Sequence, residues 1–112
     1  MRMTGASGQR SRYVLIESRT DPEAQWEQWD QLDWVWMSRS DLSADERFRG
    51  DQETAYADSK WVMPYRADMD PEAVDVPAVR RLVYEGRTYD IRAAEPSGWK
   101  RDIELTTLAK VG

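Results

Sequence analysis

The stretch RRLVYEGRTYDIRAAEP, residues 80–96, constrains the fold of this chain more than any other segment. Apolar and polar residues alternate on both sides of the Glu85-Gly86 pair, which is the pattern of two strands joined by a two-residue turn. Glycine supplies the positive φ that such a turn requires. The segment therefore predicts an antiparallel β-hairpin over residues 80–93.

A turn at Glu85-Gly86 also fixes which residues face each other across the hairpin. The predicted pairs are Tyr84 with Arg87, Leu82 with Tyr89, Arg81 with Asp90 and Arg80 with Ile91. An ion pair between Arg81 and Asp90 would favour this register over its neighbours.

One face of the predicted hairpin is apolar, and it carries Leu82, Tyr84, Tyr89 and Ile91. Exposed tyrosines could stack on bases, as on the surface of an OB-fold. Because Leu82 and Ile91 share the face with both tyrosines, burial in a core is the favoured interpretation.

The rest of the chain predicts further short strands. These cover residues 13–17, 34–38, 54–66 and 102–110. Apolar side chains on both faces of 34–38 predict that this strand is covered by the core on one side and by a neighbour or partner on the other. Ser43 and Glu46 form a capping box that predicts one short helix over about 43–52.

Two long connections separate these elements. Asp21-Pro22-Glu23 is typical of a helix start, although an irregular loop over 18–33 is equally compatible. Residues 67–78 predict a turn-rich loop with two prolines. The fold class is therefore mainly β: a small antiparallel β-barrel or sandwich of five to six strands with one short helix and long loops. We expect a flexible arm over 1–11 and a single domain over 12–112.

Composition excludes several classes of function. The chain has no cysteine and no histidine, which removes thiol and imidazole catalysis, disulfides, and zinc or copper sites that need these ligands. Its 21 acidic residues are scattered, without a calcium-binding run, a Gly-rich phosphate loop or a G-x-S-x-G motif. We expect no enzyme activity, no cofactor and no metal. The net charge of −5 disfavours sequence-independent nucleic-acid binding, and no apolar run predicts a membrane span or a secretory signal.

The order of these features resembles the phage head–tail joining family, the small head-closure or stopper proteins of tailed phages and gene transfer agents. The similarity runs from the strand ending Ile16-Glu17 through the strand WVWM and the segment MPYRADMD to the C-terminal hairpin and the closing strand DIELTTL. It covers most of residues 12–110. Residues 18–33, with Trp26 and Trp29 in an acidic context, depart from the family pattern.

The resemblance implies a structural protein of the virion neck, made in the host cytoplasm. Its protomers would form a homo-oligomeric ring of six- or twelve-fold order, with the portal or adaptor above and tail proteins below. Double-stranded DNA would pass through the lumen without sequence-specific binding, and a loop over about 39–54 would close the channel after packaging. The residues of this channel loop are Asp41, Asp45, Glu46, Arg47, Arg49, Asp51 and Glu53.

Six tryptophans are unusual in 112 residues, and tryptophan is enriched both in cores and at the centres of interfaces. We expect Trp26, Trp29, Trp61 and Arg66 at an interface. Two other functions stay open from the sequence: an OB-like module that binds single-stranded nucleic acid, and a small hydrolase that uses a pair of carboxylates.

Overall fold

A computed structural model describes residues 11–23, 28–42 and 58–110, and the strands of these ranges close into an antiparallel barrel. The strands are β1 (Arg12–Ser18), β2 (Asp30–Asp41), β3 (Ser59–Pro64), β4 (Arg80–Tyr84), β5 (Arg87–Ser97) and β6 (Asp102–Ala109). Their order around the barrel is β1-β2-β3-β6-β5-β4, and β4 pairs back onto β1. The prediction of a mainly β fold is confirmed, and the chain forms a barrel and not a sandwich.

Alternation along each strand sends every second side chain into the barrel. On β6, for example, Ile103, Leu105 and Thr107 are buried, while Glu104 and Thr106 between them are partly exposed. The core of the barrel is built from Val14, Ile16, Met37, Trp61, Met63, Leu82, Tyr89, Ile91, Ile103 and Leu105.

The β4–β5 hairpin has the predicted register. Arg81 lies opposite Asp90, Leu82 opposite Tyr89, and Tyr84 opposite Arg87. The turn residues Glu85 and Gly86 have φ values of 51° and 77°, as a tight hairpin turn requires.

The ion pair of Arg81 differs from the prediction. Its Nε donates to Glu17 Oε1 at 2.6 Å, across the β1–β4 pairing, instead of reaching along the hairpin to Asp90. The hairpin turn sets the β4–β5 register, and the barrel closure then brings β1 and its carboxylate beside Arg81.

The connection between β3 and β4, residues 65–79, is more ordered than the predicted loop, and we call it the cap. It contains a 3-10 helix (Ala67–Met69) and one short helix, α1 (Val76–Val79). Met69 and Val76 are fully buried and join the barrel core. The cap thus closes the barrel end at which β1, β3 and β5 terminate.

The observed strands are longer than predicted on β2 and β5. Strand β5 continues through a bulge between Ile91 and Ala93 to Ser97, beyond the predicted end of the hairpin at residue 93. The predicted helix over 43–52 and most of the arm over 1–11 lie outside the described residues. Within the described part of the chain, no helix is long and apolar enough to cross a membrane.

Candidate interaction surfaces

The outer face of strands β1 and β2 carries three exposed aromatic side chains, which we call the aromatic patch. Tyr13, Trp34 and Trp36 are 48%, 44% and 53% exposed. The Tyr13 ring centroid lies 5.3 Å from that of Trp34 and 4.8 Å from that of Trp36. The side of β2 that was predicted to need a neighbour or partner is thus left uncovered by the described residues.

The apolar surface continues from the aromatic patch onto β4. Leu15 is an outward residue of β1 that pairs with Trp34 on one side and Val83 on the other. It is nearly fully buried without belonging to the barrel core. Large apolar side chains that are contiguous on an outer face mark interaction sites in soluble proteins.

A second exposed tryptophan lies in the β5–β6 loop, residues 98–101. The Trp99 side chain is fully exposed. Gly98, Trp99 and Lys100 all have φ between 58° and 63°, a region that costs roughly 1–2 kcal/mol for a residue with a Cβ. A strained backbone that holds a large apolar side chain in solvent is typical of a contact site.

The strand order places these two features on different parts of the molecule. In a six-strand barrel ordered β1-β2-β3-β6-β5-β4, the β1–β2 pair faces the β6–β5 pair across the axis. The aromatic patch thus lies on the wall across the axis from β5 and β6, whereas the loop with Trp99 lies at the capped end of the barrel, where β5 ends.

A third feature is a cavity of about 470 Å³ on the side of β4, which we call the basic pocket. Its walls are Arg19, Trp29, Pro77, Arg80, Arg81, Asp90, Ile91, Arg92 and Lys110. Five of these residues are cationic and one is anionic, and Arg81 is paired with Glu17, which leaves a local charge of +3 in a chain of net charge −5.

Trp29 lies between two guanidinium groups of the basic pocket. The guanidinium carbons of Arg19 and Arg81 are 4.6 Å and 4.4 Å from the ring centroid, within the range of cation–π attraction. The indole Nε1 is buried and has no hydrogen-bond partner among the described residues. Trp29 thus lines the basic pocket, and its predicted contact with a partner stays a prediction.

Arg66, also predicted at an interface, holds the cap to the barrel. Its Nη1 lies 2.5 Å from Asp33 Oδ2 on β2, and its Nη2 lies 2.9 Å from Asp68 Oδ2 in the cap. The hydrogen bonds from Arg66 lower the pKa of both carboxyl groups, and the two carboxylates raise the pKa of Arg66. With both carboxylates bound, Arg66 has a structural role in the protomer, and an additional contact with a partner stays a prediction.

The cap is also fixed through Asp70, a buried carboxylate. Tyr65 Oη donates to Asp70 Oδ2 at 2.6 Å, and Lys100 Nζ in the β5–β6 loop lies 3.5 Å from the same oxygen. The Tyr65 hydrogen bond lowers the pKa of Asp70, with further contributions from the Glu72 backbone amide and Lys100. This contact ties the loop that carries Trp99 to the cap.

Trp61 was predicted at an interface, and this prediction is wrong because Trp61 does not reach the surface of the protomer. Trp61 is fully buried in the barrel, where its ring meets the Tyr84 and Tyr89 rings edge-on at 5.6 Å and 5.3 Å. Tyr89 is buried and Tyr84 is partly buried, which confirms the core interpretation of the hairpin aromatics. An OB-like base-stacking surface on this hairpin is thereby excluded.

The remaining predicted residues are placed only in part. Asp41 ends β2 with a highly exposed side chain, and one of its oxygens lies 3.5 Å from Arg39 Nη2. The other channel-loop residues and Trp26 lie outside the described residues; these are Asp45, Glu46, Arg47, Arg49, Asp51 and Glu53. The grouping of acidic residues that a metal ion would need does not occur in the described ranges.

No sequence pattern predicted the basic pocket or the exposure of Trp99. The pocket residues come from five separate segments that only barrel closure brings together, and the Gly98-Trp99 pair is typical of an ordinary turn. The sequence predicted the aromatic patch in part, because Trp34 and Trp36 share one face of a strand whose other face is also apolar.

Comparison with known proteins agrees with the resemblance that the sequence features indicated. A family model described as phage head completion protein matches residues 7–110, which is nearly the whole chain. No curated protein matches the chain. The match includes every described strand and the cap. The chain belongs to the phage head completion protein family, a family of structural proteins of the virion.

Proposed function

We propose that the protein is a subunit of a ring that joins the DNA-filled head to the tail and closes the DNA channel after packaging. The family membership supports a head-closure role in the virion. The observation that supports the ring is that one protomer carries two separate exposed aromatic features, the aromatic patch on the β1–β2 wall and Trp99 at the capped end.

Two different aromatic surfaces on one protomer favour a head-to-tail contact between copies. When one surface of a protomer binds a different surface of the next, the contacts repeat around a ring if the rotation closes. In our proposal, Trp99 of one protomer packs on the aromatic patch of its neighbour. The strained loop holds Trp99 in place before contact, which reduces the entropy lost on binding.

The proposed ring, of six- or twelve-fold order, lies in the virion neck between the portal or adaptor and the tail proteins. DNA passes through its lumen without sequence-specific contacts. The acidic balance of the channel loop, which starts near Asp41 and continues through 45–53, would repel phosphate groups and reduce adhesion during ejection.

The proposal is tested by measuring self-association and incorporation into particles. Native mass spectrometry of the full chain over a range of concentrations should show ring-sized species, either alone or with the head proteins. Trp99→Ala and Trp36→Ala should each weaken assembly by about tenfold or more, since truncated interface tryptophans commonly cost ~2 kcal/mol or more.

Arg87→Ala is the matched control, because Arg87 is exposed on the same strand at the other end from the β5–β6 loop. It should assemble like the wild type. A soluble monomer before assembly is compatible with the proposal. A chain that stays monomeric with its head proteins and is absent from purified particles would overturn it, and rings that tolerate both tryptophan substitutions would overturn the proposed contact.

A further inference from the structure

The basic pocket gathers positive charge that the composition of the chain does not predict. The described residues contain 12 Lys and Arg and 16 Asp and Glu, yet the pocket walls hold five cations and one carboxylate, with a second carboxylate, Glu17, bound to Arg81. Like charges gathered at one concave site repel each other, so such a site is typical of a place where an anion binds.

Two of the cations are held by backbone carbonyl groups. Arg19 Nε donates to Ala78 O at 3.0 Å and its Nη2 donates to Pro22 O at 3.1 Å. Arg80 Nε donates to Asp68 O at 3.1 Å and its Nη1 to Val79 O at 3.2 Å. Because carbonyl groups are neutral, these bonds orient the two guanidinium groups without removing their charge. The conformational entropy of these side chains is therefore lost on folding and not on binding.

Trp29 adds a flat wall between Arg19 and Arg81. The cation–π contacts with Trp29 hold both guanidinium groups at the pocket wall, where Arg81 also donates to Glu17. The buried Trp29 Nε1 is a further donor without an acceptor in the described residues. The wall is thus rich in donors for acceptor oxygens.

Arg92 reaches the basic pocket from a β-bulge. The register of β5 with β6 shifts between Ile91, opposite Thr107, and Ala93, opposite Thr106, so that Arg92 is the extra residue. Bulges re-aim side chains and are common next to functional sites. Arg92 is exposed, and no described residue pairs with it.

The dimensions of the pocket favour carboxylates on a peptide over a nucleic-acid backbone. About 470 Å³ admits a few side chains, and the five cations converge on this one concavity. Binding along a strand of DNA needs cations that follow the backbone, and a chain of net charge −5 repels the rest of a long polyanion.

We propose that the basic pocket binds an acidic segment of a partner protein, a stretch with clustered Asp and Glu side chains. Arg92 binds one carboxylate through a pair of hydrogen bonds, the remaining positive charge of the pocket attracts the neighbouring carboxylates, and Trp29 packs against the peptide. This site lies on the β4 side of the barrel, apart from the aromatic patch and Trp99, and its existence does not depend on the proposed ring.

The test uses the full chain and a fluorescein-labelled oligoglutamate peptide, with binding followed by fluorescence anisotropy at low salt. The wild type should bind it, and an oligolysine peptide of the same length should not bind. Arg92→Glu should weaken binding by about tenfold or more, because it removes a charge-assisted hydrogen bond and adds repulsion. Thermal unfolding shows whether Arg92→Glu folds. If it does not, Lys110→Glu is the second variant and should likewise weaken binding.

Arg87→Glu is the matched control, since it makes the same charge change on β5 outside the pocket. It should bind the peptide like the wild type. Equal losses in Arg87→Glu and Arg92→Glu would show only general electrostatic attraction and overturn the site. Absence of peptide binding would also overturn the site. So would tighter binding of short duplex DNA than of the peptide, or displacement of the peptide by inorganic phosphate at the same concentration as the peptide. Measuring self-association of the same variants shows separately whether the proposed ring forms, so failure of the pocket and failure of the ring can be distinguished.

Discussion

Trp61 connects the polar and apolar parts of the barrel interior. Its Nε1 donates to Thr107 Oγ1 at 2.9 Å, and the Thr107 hydroxyl in turn donates to the Ser59 carbonyl oxygen at 3.5 Å. Above the ring, the Arg39 guanidinium carbon lies 5.2 Å from the ring centroid. A buried indole is tolerated here because its one donor is satisfied.

We expect Thr107→Val to destabilise the protein by about 1–3 kcal/mol, because it keeps the shape of the side chain and leaves the buried indole N–H without an acceptor. In a Trp61→Phe background, where that N–H is absent, the same substitution should cost clearly less. Urea unfolding of the four members of the cycle measures the difference. Thr106→Val, on the outer face of the same strand, should change the free energy of unfolding by less than about 0.5 kcal/mol. Equal costs of Thr107→Val in both backgrounds would contradict the role of the hydrogen bond.

The tryptophans show what a single strand pattern can predict. The strand predicted over 54–66 includes β3, where alternation puts Trp61 and Met63 on one face. Which face points inward depends on how the barrel closes, and Trp34 and Trp36 have the same spacing and point outward. The interface prediction therefore failed at Trp61, although exposed tryptophans do exist elsewhere on the barrel.

At the scale of the elements, the cap and the β5–β6 loop form one unit through Asp70. Asp70 accepts hydrogen bonds from Tyr65 Oη at 2.6 Å and from the Glu72 amide at 2.9 Å, and Lys100 lies beside it. The Tyr65 hydrogen bond lowers the pKa of Asp70. The same hydrogen bond raises the pKa of Tyr65, and the charge of Asp70 raises the pKa of Lys100.

These shifts predict a loss of stability at both ends of the pH range. A carboxyl group with a lowered folded-state pKa stabilises the fold above its unfolded value, near pH ~4, and this contribution is lost as the pH falls through the folded-state pKa. Tyr65 and Lys100 have raised pKa values, so their contributions are present below pH ~10 and are lost as the pH rises further. Urea midpoints measured from acid to alkaline pH should therefore form a plateau that falls on both sides.

Asp70→Asn should lower the plateau and flatten both of its flanks, because it removes the group on which all three shifts depend. Asp75→Asn is the matched control, since the Asp75 side chain is exposed and makes no cap hydrogen bond to α1. It should keep the wild-type profile. A profile for Asp70→Asn that runs parallel to the wild type at every pH would show that Asp70 does not control the pH dependence.

The hairpin and the cap differ in how far the sequence predicts them. The register of β4 with β5 follows from the turn at Glu85-Gly86 alone, since a two-residue turn leaves one pairing. The partner of Arg81 and the contacts of Asp70 depend on residues far away in the chain, Glu17 and Lys100. Local pattern does not specify such contacts, because they form only when the barrel closes.

At the scale of the whole molecule, the barrel separates surfaces of different chemistry. The aromatic patch lies on the β1–β2 wall, Trp99 lies in the loop at the capped end, and the basic pocket lies on the β4 side. The six-strand order makes this separation possible, because each strand pair faces a different direction. One protomer can thus present an apolar contact to neighbouring copies and a charged contact to another protein.

The two kinds of contact should respond differently to salt. Raising the NaCl concentration from about 0.1 M to about 1 M shortens the screening length from ~10 Å to ~3 Å. Oligoglutamate binding at the basic pocket should then weaken by more than about tenfold, because it rests on several charge pairs. Ring assembly through Trp99 and the aromatic patch should be unchanged or stronger, since burial of apolar surface is not screened by salt.

The substitutions should separate in the same way. Arg92→Glu should assemble like the wild type while losing peptide binding, and Trp36→Ala should bind the peptide like the wild type while losing assembly. Sedimentation velocity and anisotropy on the same samples measure both properties. Assembly that dissolves in 1 M NaCl, or a Trp36→Ala protein that also loses the peptide, would mean that the two surfaces act as one charged interface, and the assignment of separate partners to them would fail.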